Sequence, residues 1–191
     1  MIVCLSIDHH GKPNRLADRG AIGPGGKTEV DLTSKYVWAA EKVLRKAGCR
    51  VCVVSSDFYS KRWAFSDSIG AVCYVSCHMN AGGGDRGEVY YDSRSRPGGG
   101  SALAKCIAQS LSDKVPWGAE VKGSGEGENQ RAFSCIKGLR GIGIVYEPGF
   151  LDGPRGDLSS HCKDMGRALA EGIITYSWSR EGPEPRLPRT Y

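Results

Sequence analysis

Short apolar runs that end at polar residues constrain the fold of this chain more than any other feature. The apolar runs are residues 2–7, 50–54, 71–77 and 142–146, and each of them is predicted to be a strand. Residues 87–92 are more polar than these runs and are also predicted to be a strand. Apolar residues at helical spacing lie between them, over about residues 31–47, 61–67, 101–112 and 162–176. Strands that alternate with helices are typical of an α/β domain. We therefore predict a mostly parallel central β-sheet with helices on both faces.

Length and composition indicate one domain. The chain has 191 residues, of which 40% are hydrophobic and 25% charged, and these values are ordinary for a globular protein. We predict a single domain over residues 1–179 and a flexible, Pro-rich C-terminal tail over residues 180–191. Two long polar segments, residues 11–28 and 113–132, are predicted to be loops.

Hydropathy and charge argue against several classes of protein. No apolar run approaches the ~18 residues of a membrane span, so we expect no membrane insertion. The segment Met1 to Ile7 lacks the features of a secretory signal, which predicts synthesis in the cytoplasm. The 26 Lys and Arg against 21 Asp and Glu give a net charge of +5. Because the basic residues are scattered along the chain, we expect no nucleic-acid partner.

The eight cysteines are predicted to be free thiols. Most of them lie inside apolar segments, and no export signal is recognisable, so a reducing compartment accounts for them better than a disulfide framework. The alternative is a structural zinc site formed by Cys49, Cys52, Cys73 and Cys77. The odd offset between Cys49 and Cys52 places them on opposite faces of one strand and argues against that alternative.

Three of the four histidines follow predicted strands. His9 and His10 come after the first strand and His78 after the third, while Glu147 follows the last. Ligands of such sheets bind beyond the carboxyl ends of the strands, so we expect these side chains at one edge. Two histidines and a carboxylate are the usual ligands of a catalytic zinc ion, which keeps a further position for water.

Glu29 is the best candidate for the third ligand of such a zinc ion. It closes the first long polar segment and precedes the helix that Asp31 or Thr33 is predicted to cap. Asp8 and Asp18 are rival candidates, although Asp8 is better suited to orienting a ligating histidine.

Glu147 has a different setting from Glu29. It follows a buried strand and precedes Pro148 and Gly149 in a tight turn. A carboxylate held beside a metal cation suits a general base, which takes a proton from zinc-activated water and delivers it to a leaving amine. The predicted reaction is hydrolysis of an amide bond.

Five segments of the chain match the pattern of a known family in order. They are Ile7-Asp8-His9-His10-Gly11, Gly20-Ala21-Ile22-Gly23 through Glu29, Ser76-Cys77-His78-Met79-Asn80-Ala81, Gly87-Glu88-Val89-Tyr90-Tyr91 and Glu147-Pro148-Gly149-Phe150-Leu151. With them the chain resembles, over about residues 2–176, the zinc-dependent N-acetylmuramoyl-L-alanine amidases of bacterial cell separation and phage endolysins. The first segment departs from the family pattern because it is one residue short.

The resemblance implies the roles of individual residues. His10, Glu29 and His78 would bind one zinc ion per chain, and Glu147 would be the catalytic carboxylate. Because the first segment is one residue short, His9 also fits as the ligand. We prefer His10, since it directly precedes a glycine as the ligand of the family does.

The resemblance also implies the biological role. Residues 1–179 would form a catalytic domain that cleaves the amide bond between N-acetylmuramic acid and L-alanine in peptidoglycan. Without a recognisable signal, the chain is predicted to be a phage-type endolysin made in the host cytoplasm that acts at the cell wall or periplasm. We expect a monomer, with the loops 11–28, 82–86 and 113–132 walling the substrate groove.

Three alternatives stay open at this point. Another zinc-dependent peptidoglycan peptidase or carboxypeptidase would use the same site, with Arg131 or Arg140 as the clamp for a terminal carboxylate. A non-catalytic wall-binding relative would keep the fold but has no need of Glu147. A nucleic-acid-binding module would bind DNA with a steep dependence on salt.

Overall fold

A computed structural model describes residues 1–11, 13–14, 18–93, 99–124 and 133–181, with the backbone alone for residues 180 and 181. Within these residues, six strands form one central sheet. The strands are β1 (Ile2–Ile7), β2 (Arg50–Val54), β3 (Cys73–Cys77), β4 (Gly87–Asp92), β5 (Ala119–Ser124) and β6 (Ile142–Glu147). Their order across the sheet is β2-β1-β3-β6-β4-β5.

The direction of the strands decides which loops share an edge. Among the strand pairs of this sheet, β4 with β6 is antiparallel and the others are parallel. Cys77 pairs with Ile7 on one side and with Tyr146 on the other, so β1, β3 and β6 end side by side. Because β4 runs the opposite way, it begins at this same edge, which is called the site edge below.

Helices cover both faces of the sheet. In the described part of the chain the α-helices are α1 (Glu29–Lys46), α2 (Tyr59–Ser68), α3 (Gly99–Ser112) and α4 (Cys162–Glu181). Helices α1, α3 and α4 bury one face through a large apolar core. The other face packs against α2 and the segment 133–139, with Tyr74 and Ile136 fully buried between them. The predicted fold class is confirmed.

Thr28 is the N-cap of α1. Its side-chain oxygen accepts a hydrogen bond from the Asp31 amide at 3.3 Å, and the Asp31 carboxylate accepts one from the Thr28 amide at 2.9 Å. This reciprocal pair is a capping box, which satisfies two amides that a helix start leaves free. The prediction of Asp31 or Thr33 as the cap is therefore wrong, and Glu29 is the first residue of the helix.

Strand β5 lies inside a segment that the sequence predicts to be a loop. The run Ala119 to Ser124 alternates polar and small residues, and it pairs with β4 over its whole length. Pairing with a neighbouring strand, which a local pattern does not show, stabilises it. The loop prediction is wrong for residues 119–124, and residues 125–132 lie outside the described residues.

Helix α4 is longer than predicted and runs away from the site edge. Its first residue, Cys162, contacts the carbonyl oxygen of Leu32 near the start of α1. Further along, Tyr176 and Ile142 both lie against Gly99, so the helix ends at the edge where β6 begins. The helix continues to Glu181, beyond the predicted start of the tail at residue 180. Residues 182–191 lie outside the described residues, and the boundary between domain and tail stays a prediction.

All eight cysteines are free thiols. Among the described residues, the groups of side chains that could hold a metal ion include none of Cys49, Cys52, Cys73 and Cys77. In the same part of the chain, every helix is too short or too polar to cross a membrane.

Candidate metal centre and catalytic carboxylate

Three donor side chains meet at the site edge. The candidate ligand atoms of His9, Glu29 and His78 all lie within 4.8 Å of one another. His9 Nε2 lies 3.6 Å from Glu29 Oε2, and His78 Nδ1 lies 2.8 Å from Glu29 Oε1. The two histidines follow β1 and β3, and Glu29 opens α1. The sheet topology thus brings together three side chains that are far apart in sequence.

An aspartate holds the second nitrogen of each imidazole. His9 Nδ1 lies 3.0 Å from Asp18 Oδ1, and His78 Nε2 lies 2.7 Å from Asp8 Oδ2. Such carboxylate partners fix the orientation and tautomer of a metal-ligating histidine. Asp8 and Asp18, the rival ligands of the sequence analysis, therefore lie behind the histidines and leave the nitrogens that face Glu29 available.

His10 lies outside this group. Its Nδ1 is 2.9 Å from the carbonyl oxygen of Ser55, and the residue is exposed. His9 adopts the left-handed backbone conformation, with φ of 60°, which residues other than glycine rarely adopt. In the shortened segment, this conformation directs the His9 ring toward Glu29. Of the two candidates, the structure therefore brings His9, and not the preferred His10, close to Glu29 and His78.

The surroundings of the three donors fit a cation. Two imidazoles and one carboxylate are a common zinc-binding set. Burial lowers the pKa of His78, but the charges and hydrogen bonds of Asp8 and Glu29 outweigh burial and raise that pKa well above its usual range. The local potential therefore favours positive charge at this position, as a metal site requires.

Backbone groups hold the Glu29 carboxylate in place. It accepts hydrogen bonds of 3.1 Å from the amides of Ala21 and Met79. Gly20 has φ of 73°, and a Cβ atom there would lie 2.2 Å from Glu29 Oε2. Glycine is thus required at this position both by its backbone conformation and by the close approach of the carboxylate.

A second group of possible metal ligands shares His78. It consists of Asp8, His78 and Cys135, and it was missed in the sequence because Cys135 does not follow a predicted strand. Asp8 is fully buried, and its oxygens already accept hydrogen bonds from two serine hydroxyls and from the Arg62 guanidinium. Because these donors already compensate the Asp8 charge, the group of His9, Glu29 and His78 is the better cation site.

Glu147 ends β6 beside this cluster. Burial raises the pKa of its carboxyl to about 7, with Glu88 and Glu29 adding to the effect and with His78 and Lys122 opposing it. A carboxyl with a pKa near the working pH can both accept and release a proton. The structure thus gives Glu147 the property that a general base in this position needs.

Glu88 is a buried site residue to which the sequence analysis gave no role. It is 2% exposed and is the cross-strand partner of Glu147. Its carboxylate accepts hydrogen bonds from the side chains of Asn80, Arg86, Tyr90 and Lys122. A signal was present, since Glu88 lies in one of the five matching segments, but a strand position suggested no chemistry.

Arg140 is remote from the site. Its backbone amide donates a 3.1 Å hydrogen bond to Asp67, and it precedes the start of β6 at the opposite edge of the sheet from Glu147. It is therefore unable to clamp a substrate at the site edge. Arg131, the other candidate clamp, lies outside the described residues.

The fold and the site define an α/β domain with a candidate metal centre next to a buried carboxyl of raised pKa. The chain belongs to the N-acetylmuramoyl-L-alanine amidase family, since the model of that family matches residues 4–175. Membership makes it a peptidoglycan amidase, which is a hydrolase of amide bonds. No curated protein gives a match.

Solved structures show the same fold. The amidase AmiC2 of Nostoc punctiforme is 22% identical with a TM-score of 0.75, covering 93% of this chain and 97% of that one. The catalytic domain of CwlV, an amidase from Bacillus (Paenibacillus) polymyxa var. colistinus, is 18% identical with a TM-score of 0.75, covering 92% and 97%. The catalytic domain of the CD27L endolysin, which targets Clostridia difficile, is 18% identical with a TM-score of 0.71, covering 92% and 97%.

Proposed function

We propose that the chain hydrolyses the amide between N-acetylmuramic acid and L-alanine with one zinc ion held by His9, Glu29 and His78. The observation that carries this proposal is the convergence of their donor atoms, with each imidazole held from behind by an aspartate. A bound zinc ion would supply a Lewis acid that polarises the scissile carbonyl and makes a water molecule more acidic. The protein's own residues then have to position the donors and move the proton.

Glu147 is the proposed proton carrier. It accepts a proton from the attacking water and donates it to the leaving nitrogen of L-alanine as the C–N bond breaks. The pKa of about 7 supports both steps near neutral pH, because neither protonation state is strongly disfavoured. The products are the lactyl carboxylate of muramic acid and the free amine of L-alanine.

Analysis of the products of purified peptidoglycan tests the proposed bond. We expect the zinc-loaded protein to release new L-alanine amines and free lactyl groups. Chelation should abolish both products, and added zinc should restore them. A new amine on another residue, or release of a terminal amino acid, would instead support the peptidase or carboxypeptidase alternative.

The variant Glu147→Gln tests the role of this residue. We expect it to keep bound zinc and to lose about 10²–10⁴-fold in rate, the usual contribution of general acid–base catalysis. Glu171→Gln is a matched control, because it makes the same chemical change at a different carboxylate, which lies on α4 and pairs with Lys114. Unchanged activity of Glu147→Gln would overturn the assignment and would show that another group carries the proton.

We further propose a phage-type endolysin that is made in the cytoplasm and acts at the cell wall as a monomer. The eight free cysteines support this role, since thiols persist in a reducing compartment. To test this role, the protein is expressed in bacteria whose isolated cell wall it digests. The turbidity of the culture is then followed with and without permeabilisation of the membrane. Lysis that depends on permeabilisation supports the role, and lysis without it contradicts the role. Sedimentation should give the mass of one chain.

A further inference from the structure

Arg62 on α2 is the largest fully buried side chain in the described part of the chain, at 2% exposure. A guanidinium taken out of water is strongly destabilising unless its donors are satisfied. Its nitrogens reach six acceptors at 2.6 to 3.1 Å, namely Ser6 Oγ, Asp8 Oδ1 and the carbonyl oxygens of Ile7, His10, Ser56 and Asp57. Hydrogen bonds within the protein therefore satisfy the guanidinium group.

The acceptors of Arg62 lie at the end of β1 and in the segments that follow β1 and β2. The carbonyls of Ile7 and His10 lie on either side of the Asp8–His9 pair, at 2.9 and 2.6 Å from the guanidinium nitrogens. One planar group thus holds both ends of the turn in which His9 adopts its left-handed conformation. Without these two hydrogen bonds, the free energy cost of the left-handed conformation would favour a turn in which His9 adopts another backbone conformation.

A second connection runs through Asp8. Arg62 Nη1 lies 3.0 Å from Asp8 Oδ1, and the other oxygen of the same carboxylate lies 2.7 Å from His78 Nε2. The relative side-chain exposures of Arg62 and Asp8 are 1% and 0%, so water does not weaken this pair. The chain of contacts leads from Arg62 through Asp8 to His78 and on to Glu29.

We propose that Arg62 is a positioning residue of the metal centre. It fixes His9 through the backbone of the turn and His78 through the Asp8 carboxylate, although it touches neither imidazole itself in the contacts described above. The proposal rests on the proposed metal-dependent function. It predicts that changes at Arg62 weaken metal binding, and that they do so beyond any loss of stability.

Competition between the protein and a chromophoric chelator measures the zinc dissociation constant of wild type and variants. We expect Arg62→Met to weaken zinc binding about 10–100-fold, as is typical for partners behind the ligands of a metal. Arg62→Lys should also weaken it, because a single ammonium does not reproduce a planar fork with several donors. Leu103→Ala is the control: this fully buried α3 residue should cost stability without changing zinc affinity.

A double-mutant cycle with Asp8→Asn separates positioning from a general structural role. If Arg62 acts partly through Asp8, Arg62→Lys should weaken zinc binding less in the Asp8→Asn background than in wild type. Near-UV circular dichroism identifies folded variants, and Arg62→Lys carries the test if Arg62→Met does not fold. Unchanged zinc affinity in the folded Arg62 variants, or a loss of zinc affinity equal to that of Leu103→Ala, would overturn this inference and leave the proposed function standing. Wild-type protein that binds no zinc would overturn the proposed function and the inference with it.

Discussion

Glu88 and Glu147 are cross-strand partners at the point where β4 begins and β6 ends. Burial alone raises the pKa of each carboxyl, but hydrogen bonds from Lys122, Tyr90 and Arg86 lower that of Glu88 below its ordinary value. The pKa of Glu147 is instead raised to about 7. Two adjacent carboxyls with separated pKa values have separate roles. Glu88 therefore keeps its negative charge, and the raised pKa of Glu147 supports the proton exchange that we propose for it.

Glu147 should make the stability of the metal-free protein depend on pH. Its pKa rises from 4.5 to about 7 on folding, so the folded state retains a proton that the unfolded state releases in this interval. The free energy of unfolding therefore falls as the pH rises from about 4.5 to 7 and then levels off. We expect Glu147→Gln to be more stable than wild type at about pH 8, by on the order of 3 kcal/mol.

Urea unfolding of metal-free Glu147→Gln and wild type checks this expectation. The two proteins should unfold at similar urea concentrations at about pH 4, where the carboxyl is protonated in both states. A difference of the same size at both pH values would show that the substitution acts through packing and that the Glu147 pKa is not raised.

His9 and His10 should differ sharply in metal binding. His9→Ala removes a proposed ligand, so we expect its zinc affinity to fall by more than the about 10–100-fold typical of an outer contact. His10→Ala removes an exposed side chain whose ring contacts the Ser55 carbonyl, so zinc content should be unchanged. Metal analysis after dialysis measures both. Zinc lost from His10→Ala and retained by His9→Ala would restore the original preference.

Gly20→Ala should displace Glu29. The added methyl group would lie 2.2 Å from Glu29 Oε2, so the carboxylate has to move. Gly25→Ala is a matched control in the same segment, since Gly25 has φ of 71° and no atom within 4 Å of an added Cβ. We expect weaker zinc binding in Gly20→Ala alone, measured by chelator competition. Equal effects of the two substitutions would assign the loss to backbone strain.

Thiol alkylation should divide the cysteines into two groups. Cys49, Cys52 and Cys106 are partly exposed, whereas the other five are buried. Burial raises the pKa of Cys4 and of Cys73 to about 12, which keeps them as unreactive thiols. Mass spectrometry should show faster labelling of the three partly exposed cysteines in the native protein and labelling of all eight after denaturation. Fewer than eight labels without reductant would reveal disulfides.

The sequence predicted the sheet and the location of the site through one physical rule. Strands β1, β2 and β4 begin and end where predicted. Because parallel strands end at a common edge, the sequence predicts that His78 and Glu147 lie close together. Because Glu29 directly precedes the first predicted helix, its carboxylate is predicted to lie at the same edge.

Other features depend on contacts that a local pattern does not contain. The choice between His9 and His10 depends on a single left-handed residue, which no residue type in that segment signals. Strand β5 exists because β4 offers it a partner. Arg62 lies in a predicted helix, and the sequence does not indicate that it is buried. Its burial is explained by its hydrogen-bond acceptors on two segments that are distant in sequence.

The course of α4 away from the site edge has a practical consequence for engineering. The strand β1 begins, and α4 ends, at the edge of the sheet opposite His9 and Glu147. A module fused to either element would therefore be attached at the edge of the sheet opposite the candidate metal centre. Attachment of this protein to a bead, or to a wall-targeting lectin through a short linker, should leave the site edge accessible to insoluble substrate.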